Sequence, residues 1–124
     1  MIFGIGTDII EVARVEQHMK NGDRFLEKIF TQVEQAYAES KAFKYQHYAA
    51  RFAAKEAFFK ALGTGYRYGM AFHEIEVIND KLGKPVITVH GKVKEYLDKQ
   101  GVVQIHLSIS HVREMANAFV VLEI

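Results

Sequence analysis

The first nine residues, MIFGIGTDI, place bulkier side chains at alternate positions, a pattern that predicts a β-strand. On this strand Gly4, Gly6 and Asp8 share one face, and the opposite face is largely apolar. Asp8 would end the strand, and the spacing D-x-x-E that joins it to Glu11 is typical of a helix N-cap. Alternatively, the two glycines leave their face bare, so that a ligand can approach Asp8 closely.

Hydrophobic spacing predicts the rest of the chain as a block of helices followed mostly by strands. Apolar residues recur every three to four positions in the helices predicted at 11–20, 23–31, 32–45, about 46–62 and 91–100. Alternation predicts strands at 73–80, 85–90, 103–110 and 116–124. This order is typical of an α+β fold, so we expect an antiparallel sheet packed with helices. No linker or repeat interrupts residues 1–124, which favours a single domain.

The long helix includes RFAAKEAFFKALGTG, residues 51–65, and it is apolar almost all round, as a buried helix is. It nevertheless carries two charged pairs spaced four residues apart. Glu56 and Lys60 either form a helical ion pair worth about 0.2–0.5 kcal/mol or serve a function, because stripping water from two ions costs more than such a pair returns. Arg51 and Lys55 are either solvated side chains or the two sides of a site for an anion.

The same segment ends on two glycines, Gly63 and Gly65, with Thr64 between them. Gly63 directly after the helix is typical of a C-cap. Gly65 is not needed for that cap, and a glycine allows backbone to approach a phosphate closely. Because the C-terminal end of a helix repels anions, a phosphate here must be held by Arg and Lys side chains or by a metal.

Two acids in apolar surroundings, Asp8 and Glu56, are the candidate ligands of a magnesium ion, which usually binds one or two carboxylates plus substrate phosphates. His106 and His111, in HLSISH, would point to opposite faces of a regular strand, which argues against a two-histidine metal site. The glycine spacings fit neither a Rossmann nor a Walker phosphate loop, and no serine lies in G-x-S-x-G.

Composition narrows the setting further. A net charge of +1 gives no reason to expect nucleic acid or a membrane surface as a partner. The chain has no cysteine, which fits a reducing compartment, and its first residues do not read as a signal peptide. We therefore expect a cytoplasmic globular protein.

Three segments in this order, FGIGTDIIEVARVE, RFAAKEAFFKALGTG and HLSISH, resemble the holo-[acyl-carrier-protein] synthases, the short bacterial type of 4′-phosphopantetheinyl transferase. The resemblance spans essentially the whole chain. It implies transfer of the 4′-phosphopantetheine group of coenzyme A to a serine of apo acyl carrier protein, with release of adenosine 3′,5′-bisphosphate, in support of fatty acid biosynthesis.

The resemblance also implies roles for individual residues. Mg²⁺ would be bound by Asp8 and Glu56, and the catalytic residues would be Glu56, Lys60 and His111. The serine proton would go either to Glu56 or to a water held by the metal. The residues implied to contact coenzyme A are Arg51, Lys60, Gly63, Thr64, Gly65 and His111.

The implied partners are coenzyme A, apo acyl carrier protein and two further copies of the chain, since the short enzymes are homotrimers with active sites between subunits. Carrier proteins are acidic, so Arg14, Arg24 and Lys28 are candidate docking residues. Acidic residues are interleaved with them, and a solvated mixed face is the alternative. Two rival functions are a non-catalytic module that binds coenzyme A or a nucleotide, and a trimeric structural protein.

Overall fold

The chain is described over residues 1–124 by a computed structural model with five strands, five α-helices and one short 3₁₀ helix. The strands are β1 (Ile2–Glu11), β2 (Ile75–Asn79), β3 (Pro85–Val89), β4 (Gln104–His111) and β5 (Met115–Glu123). The helices are α1 (Val12–Lys20), α2 (Arg24–Ile29), α3 (Gln32–Glu39), α4 (Lys44–Leu62) and α5 (Gly91–Gln100), and the 3₁₀ helix is Phe72–Glu74.

The strands form two antiparallel sheets. One has the order β1-β5-β4, and the other is the β2–β3 hairpin. Asp8 pairs with Ala118 of β5, which in turn pairs with Ile109 of β4. The prediction of an α+β fold with antiparallel strands packed against helices is thus confirmed, with two sheets in place of one.

Helix α4 is the centre of the core. Twelve of its 19 residues are buried, which confirms that a helix apolar all round is an interior helix. It begins at Lys44, two residues before the predicted start, and ends at Leu62 as predicted. One cluster of 25 buried hydrophobic residues surrounds it. None of the helices combines the length and the apolar character that crossing a membrane would need.

The contact between β1 and α4 depends on Gly4 and Gly6. A Cβ atom on Gly6 would lie 1.9 Å from the carbonyl oxygen of Ala57, and one on Gly4 would lie 1.9 Å from that of Ala61. Glycine is therefore required at both positions for the strand to lie directly on the helix. The face of β1 is thus covered by α4 at Gly4 and Gly6, while the approach of a ligand to Asp8, farther along the same face, stays a prediction.

Two local predictions were also wrong. Asp8 lies inside β1 and does not cap α1, because β1 stays paired with β5 as far as Glu11. Helix α3 ends at Glu39, not at residue 45. The Ser40 hydroxyl donates to the Tyr37 carbonyl at 2.6 Å, a local bond of the kind that competes with continued helix.

Substituting Gly6→Ala should destabilise the protein by about 3 kcal/mol, because the added methyl group overlaps backbone that cannot move aside. Chemical denaturation followed by circular dichroism measures this. Gly83→Ala is the control: its Cβ would meet nothing within 4 Å, and its φ of +89° costs about 1 kcal/mol for a residue with a side chain. Equal losses for the two variants would contradict the close-approach argument.

Candidate functional site

The first group of polar residues lies where β1 crosses the C-terminal half of α4. The Lys60 Nζ atom donates to the Asp8 Oδ1 atom at 3.0 Å and to the Thr7 carbonyl oxygen at 3.0 Å. Glu56 lies one helical turn before Lys60, and residues four apart share a helix face. The register that β1 keeps on α4 therefore brings Asp8, Glu56 and Lys60 together from two distant parts of the chain.

Glu56 is held by a residue that the sequence analysis did not single out. The Tyr66 hydroxyl donates to the Glu56 Oε2 atom at 2.7 Å. Burial raises the pKa of the Tyr66 phenol, with further contributions from the hydrogen bond to Glu56 and from the charge of Asp8. The charge of Asp8 thus acts on the same phenol that contacts Glu56.

The predicted environment of Glu56 and Lys60 needs correction. The two do not form the ion pair considered for them, since Lys60 pairs with Asp8 and Glu56 accepts from Tyr66. Neither is buried: Glu56 is partly exposed, and 56% of the Lys60 side chain is exposed. Both side chains keep contact with solvent, so keeping them charged costs less desolvation than full burial would.

The donor atoms of this group suit a divalent cation that also binds phosphate. Asp8 keeps its Oδ2 atom and Glu56 keeps its Oε1 atom without a hydrogen-bond partner. No group of three or more His, Cys, Asp or Glu side chains could hold a metal on its own. Two carboxylate oxygens completed by phosphate oxygens and water are a typical set for Mg²⁺, so the residues present fit that ion.

The loop after α4 folds back over this group. Gly63 adopts a left-handed φ of 79° and its N–H donates to the Phe59 carbonyl oxygen, which confirms the predicted C-cap. Gly65 adopts a φ of 65°, so it is needed for a second reversal of the backbone. The Thr64 hydroxyl bonds within the loop, to the Gly65 carbonyl at 3.0 Å. The coenzyme A contacts expected for this loop stay predictions.

A second group gathers around the N-terminal half of α4. The Arg51 guanidinium lies 4.2 Å from the centre of the Tyr37 ring. The His47 ring contacts Tyr37 at 5.6 Å and His111 at 5.5 Å. Burial lowers the pKa of the His47 imidazole, and the charges of His111 and Arg51 add to this effect. Arg51 and His111 are thus linked to each other through His47 and Tyr37.

Arg51 is largely enclosed in this second group. Only 4% of its surface is exposed, and its Nη2 atom donates to Asn79 Oδ1 at 2.6 Å. Its Nε atom is buried without a hydrogen-bond partner. His111 is exposed, and its Nδ1 atom lies 3.1 Å from Gln46 Oε1.

The two groups are well separated within one chain. At about 100° per residue, Arg51 and Lys60 lie about 180° apart around α4. At 1.5 Å per residue, Gln46, which contacts His111, lies about 21 Å along the axis from Lys60. The predicted site residues therefore do not converge on one point of a single chain: Asp8, Glu56 and Lys60 do, whereas Arg51 and His111 form the other group.

The alternatives considered for Lys55 were both wrong. Lys55 is neither solvated nor beside an anion site; it is fully buried, and its Nζ atom donates to Glu34 Oε1 at 2.7 Å. Further acceptors are the carbonyl oxygens of Ile29, at 2.6 Å, and Phe72, at 3.2 Å. Burial lowers the pKa of the Lys55 ammonium, and the charge of Glu34 opposes that effect. Lys55 joins α4 to α2, α3 and the 3₁₀ helix.

Glu34, the partner of Lys55, was missed by the sequence analysis. Its side chain completes a capping box with Thr31, and its Oε2 atom accepts from the Val77 N–H at 2.7 Å. The spacing T-x-x-E was a usable signal for the cap. Nothing in the local pattern, however, indicated that a surface-type capping residue would be fully buried against a lysine 21 positions later.

The remaining candidates lie on other surfaces. His106 points to the outer face of the three-stranded sheet, where it contacts Glu123, and His111 lies at the other face, so the prediction of opposite faces is confirmed. Of the candidate docking residues, Arg24 and Lys28 line one groove of about 630 Å³. Lys28 also lines a neighbouring hollow of about 350 Å³ that Tyr66 borders. Arg14 is exposed on α1 and lines neither of them.

Known proteins resemble this chain along its whole length. A family model of the 4′-phosphopantetheinyl transferase superfamily matches residues 4–119. A holo-[acyl-carrier-protein] synthase of Ruminiclostridium cellulolyticum is 52% identical over 122 residues, covering 97% of this chain and 91% of that protein. The chain belongs to the 4′-phosphopantetheinyl transferase superfamily, as its sequence motifs predicted.

Solved structures agree with this assignment. The crystal structure of holo-[acyl-carrier-protein] synthase from Neisseria meningitidis matches with a TM-score of 0.92 and 39% identity, covering 99% of both chains. The synthase from Bacillus anthracis, in complex with CoA (3′,5′-ADP), matches with a TM-score of 0.81 and 42% identity, covering 98% of this chain and 96% of that one. The α+β architecture is therefore that of solved members of the family.

Substituting Lys55→Met should lower the free energy of unfolding by about 3–5 kcal/mol, because it leaves the buried Glu34 carboxylate without its counter-charge. The double variant Glu34→Gln/Lys55→Met should lose less than the sum of the single changes, as denaturant titration would show. Lys20→Met, which removes an exposed pair with Glu16, is the control and should change little. Additive losses at positions 34 and 55 would contradict a coupled pair.

Proposed function

We propose that this chain is a Mg²⁺-dependent holo-[acyl-carrier-protein] synthase. It transfers the 4′-phosphopantetheine group from coenzyme A to a serine of apo acyl carrier protein and releases adenosine 3′,5′-bisphosphate. The observation that carries the proposal is the convergence of Asp8, Glu56 and Lys60 at the crossing of β1 and α4. The name and the coenzyme A complex of close relatives support the same reaction.

The reaction needs a site that neutralises diphosphate charge and positions two substrates. The serine oxygen, whose proton passes to Glu56 or to a water beside it, forms a bond to the β-phosphorus of coenzyme A, and the bond from that phosphorus to the oxygen that bridges it to the α-phosphate breaks. Asp8 and Glu56 would hold Mg²⁺, which would offset charge on the phosphate oxygens. Lys60 lies 3.0 Å from Asp8, beside that ion's carboxylates, and its ammonium stabilises or protonates the departing phosphate.

Coenzyme A is large for one small chain, and the predicted contacts occur in the two separate groups described above. We therefore assign Lys60 and the loop Gly63–Gly65 to one copy of the chain, and Arg51 and His111 to its neighbour. A homotrimer with active sites between subunits provides that arrangement. The outer face of the three-stranded sheet supports such assembly, because Ile5 is 54% exposed, Ile9 63% and Phe119 43%.

The carrier protein is assigned to the groove lined by Arg24 and Lys28. Carrier proteins are acidic, and exposed cations at the rim of a groove raise the association rate of an acidic partner. Lys28 also borders the hollow beside Tyr66, which connects this groove with the group that contains Glu56. The reaction supplies holo carrier protein for fatty acid biosynthesis, and we place it in the cytoplasm.

Incubating the protein with apo acyl carrier protein, coenzyme A and Mg²⁺ should raise the mass of the carrier by one phosphopantetheine group, as measured by intact-mass spectrometry. EDTA should abolish the shift, because two carboxylates alone do not neutralise a diphosphate. Glu56→Gln should lower the rate at least about 100-fold by removing a metal ligand. Glu95→Gln, an exposed acid on α5 paired with Lys92, is the matched control.

The outcomes of this experiment separate the rival functions. Coenzyme A binding without any mass shift would favour a binding module. A Glu56→Gln variant that melts at a lower temperature but binds coenzyme A as the unmodified protein does would favour a structural role for the charge. Transfer that continues at the normal rate in EDTA would contradict the metal requirement.

Sites shared between copies should show complementation. Asp8→Asn and His111→Ala homotrimers should each be weakly active, whereas co-refolding them in equal amounts should restore about a quarter of the normal activity, since a quarter of the sites then receive both intact residues. The control is Asp8→Asn mixed with the double variant Asp8→Asn/His111→Ala, which rebuilds no site. No gain in the first mixture would contradict the assignment of His111 to a neighbouring copy.

A further inference from the structure

We infer that Tyr66 is a positioning residue for the metal ligand Glu56. The phenol donates to Oε2 of the carboxylate at 2.7 Å and leaves Oε1 free on the same group. A carboxylate fixed through one oxygen presents the other in one direction, which is what a cation shared with Asp8 requires. This inference rests on the proposed function, because it assigns Tyr66 a role toward the magnesium ion of that reaction.

Glu56 has no other partner that could fix it. The cation one turn later on the helix, Lys60, is bonded to Asp8 and to the Thr7 carbonyl. Glutamate has several rotatable bonds, so a partly exposed side chain with no hydrogen bond samples many rotamers, and ordering it on metal binding costs affinity. The Tyr66 hydrogen bond removes much of that cost before the ion arrives.

Tyr66 is itself held in place by packing. Its ring meets Phe59 edge-to-face at 4.9 Å and contacts Phe72 at 4.8 Å. The left-handed conformations of Gly63 and Gly65 turn the loop back, so that a residue only ten positions after Glu56 returns to the same place on the helix. The ring packs on these two side chains while 55% of Tyr66 stays exposed, and the hydroxyl alone reaches the carboxylate.

A purely structural role, in which the hydrogen bond only fastens the loop to α4, is the alternative. The two roles differ in what the hydroxyl controls. Tyr66→Phe keeps the ring against Phe59 and Phe72 and removes only the donor to Glu56. Tyr68→Phe is the matched control in the same loop, because Tyr68 stacks on Tyr96 at 5.5 Å and its hydroxyl has no hydrogen-bond partner.

The test is Mn²⁺ binding, measured from the paramagnetic resonance signal of the free ion, with saturating coenzyme A and no carrier protein present. We expect Tyr66→Phe to weaken Mn²⁺ binding about 10–100-fold, the usual effect of losing a residue that orients a metal ligand. Tyr68→Phe should bind as the unmodified protein does. In the transfer reaction, Tyr66→Phe should raise the Mg²⁺ concentration for half-maximal rate by a similar factor, with a much smaller change in kcat.

The failures of the two proposals are distinguishable. Unchanged Mn²⁺ affinity in Tyr66→Phe, when Glu56→Gln has lost binding, overturns the role of Tyr66 and leaves the metal site standing. A lower melting temperature with unchanged Mn²⁺ affinity does the same and shows that the bond only fastens the loop. If the unmodified protein binds no Mn²⁺, or Glu56→Gln binds normally, the metal site fails and the inference about Tyr66 fails with it.

Discussion

The direct contact between β1 and α4 is the constraint on which the rest of the molecule depends. At Gly4 and Gly6 the strand lies so close to the helix that a Cβ atom would overlap the carbonyl oxygens of Ala61 and Ala57. Two residues beyond Gly6 on the same strand face, Asp8 reaches the side of the helix. Its contact with Lys60 is thus set by backbone packing and does not depend on a flexible loop.

Helix α4 combines the roles of core helix and site helix, and the placement of its charges shows how. Lys55 points into the interior and is compensated by Glu34 and two backbone carbonyls. Lys60 and Glu56 point toward β1 and the loop that follows the helix, and they are compensated by Asp8 and Tyr66. Each of these charges has a partner within the protein. Only the carboxylates of Asp8 and Glu56, however, keep an oxygen free for a ligand.

Local patterns were sufficient to predict the elements of this fold. Alternation identified all five strands, and the 3.6-residue period identified the five helices, because each element buries a face against α4 or the sheets. The Gly63 C-cap was also predictable, because a cap depends only on adjacent residues. The errors fell where tertiary contacts override local signals, as at Asp8, which the β1–β5 ladder keeps extended.

The charged partners could not be predicted from local patterns. The wheel of α4 placed Glu56 in an apolar environment and left Arg51 and Lys55 as either solvated side chains or an anion site, whereas Glu56 is partly exposed and Arg51 and Lys55 are buried. The neighbouring elements decide which side of an apolar helix meets solvent. The 3₁₀ helix and α3 cover Lys55, whereas no helix covers Lys60 in the same way. Family resemblance singled out Asp8, Glu56 and Lys60 as candidates, but not Tyr66, whose position depends on the left-handed residues Gly63 and Gly65 in the loop.

The separation of the two polar groups links the chemistry to the assembly. Arg51 and Lys60 lie on opposite sides of one rigid helix, so no rotation of side chains can bring them to one small ligand. A ligand that needs both must either span the helix or bind between two copies. The β1-β5-β4 sheet favours the second solution, because its inner face is occupied by α4 while its outer face leaves Ile5, Ile9 and Phe119 exposed. In the proposed trimer, the sheet that aligns Asp8 on the helix would also join the copies, and folding, assembly and catalysis would depend on the same three strands.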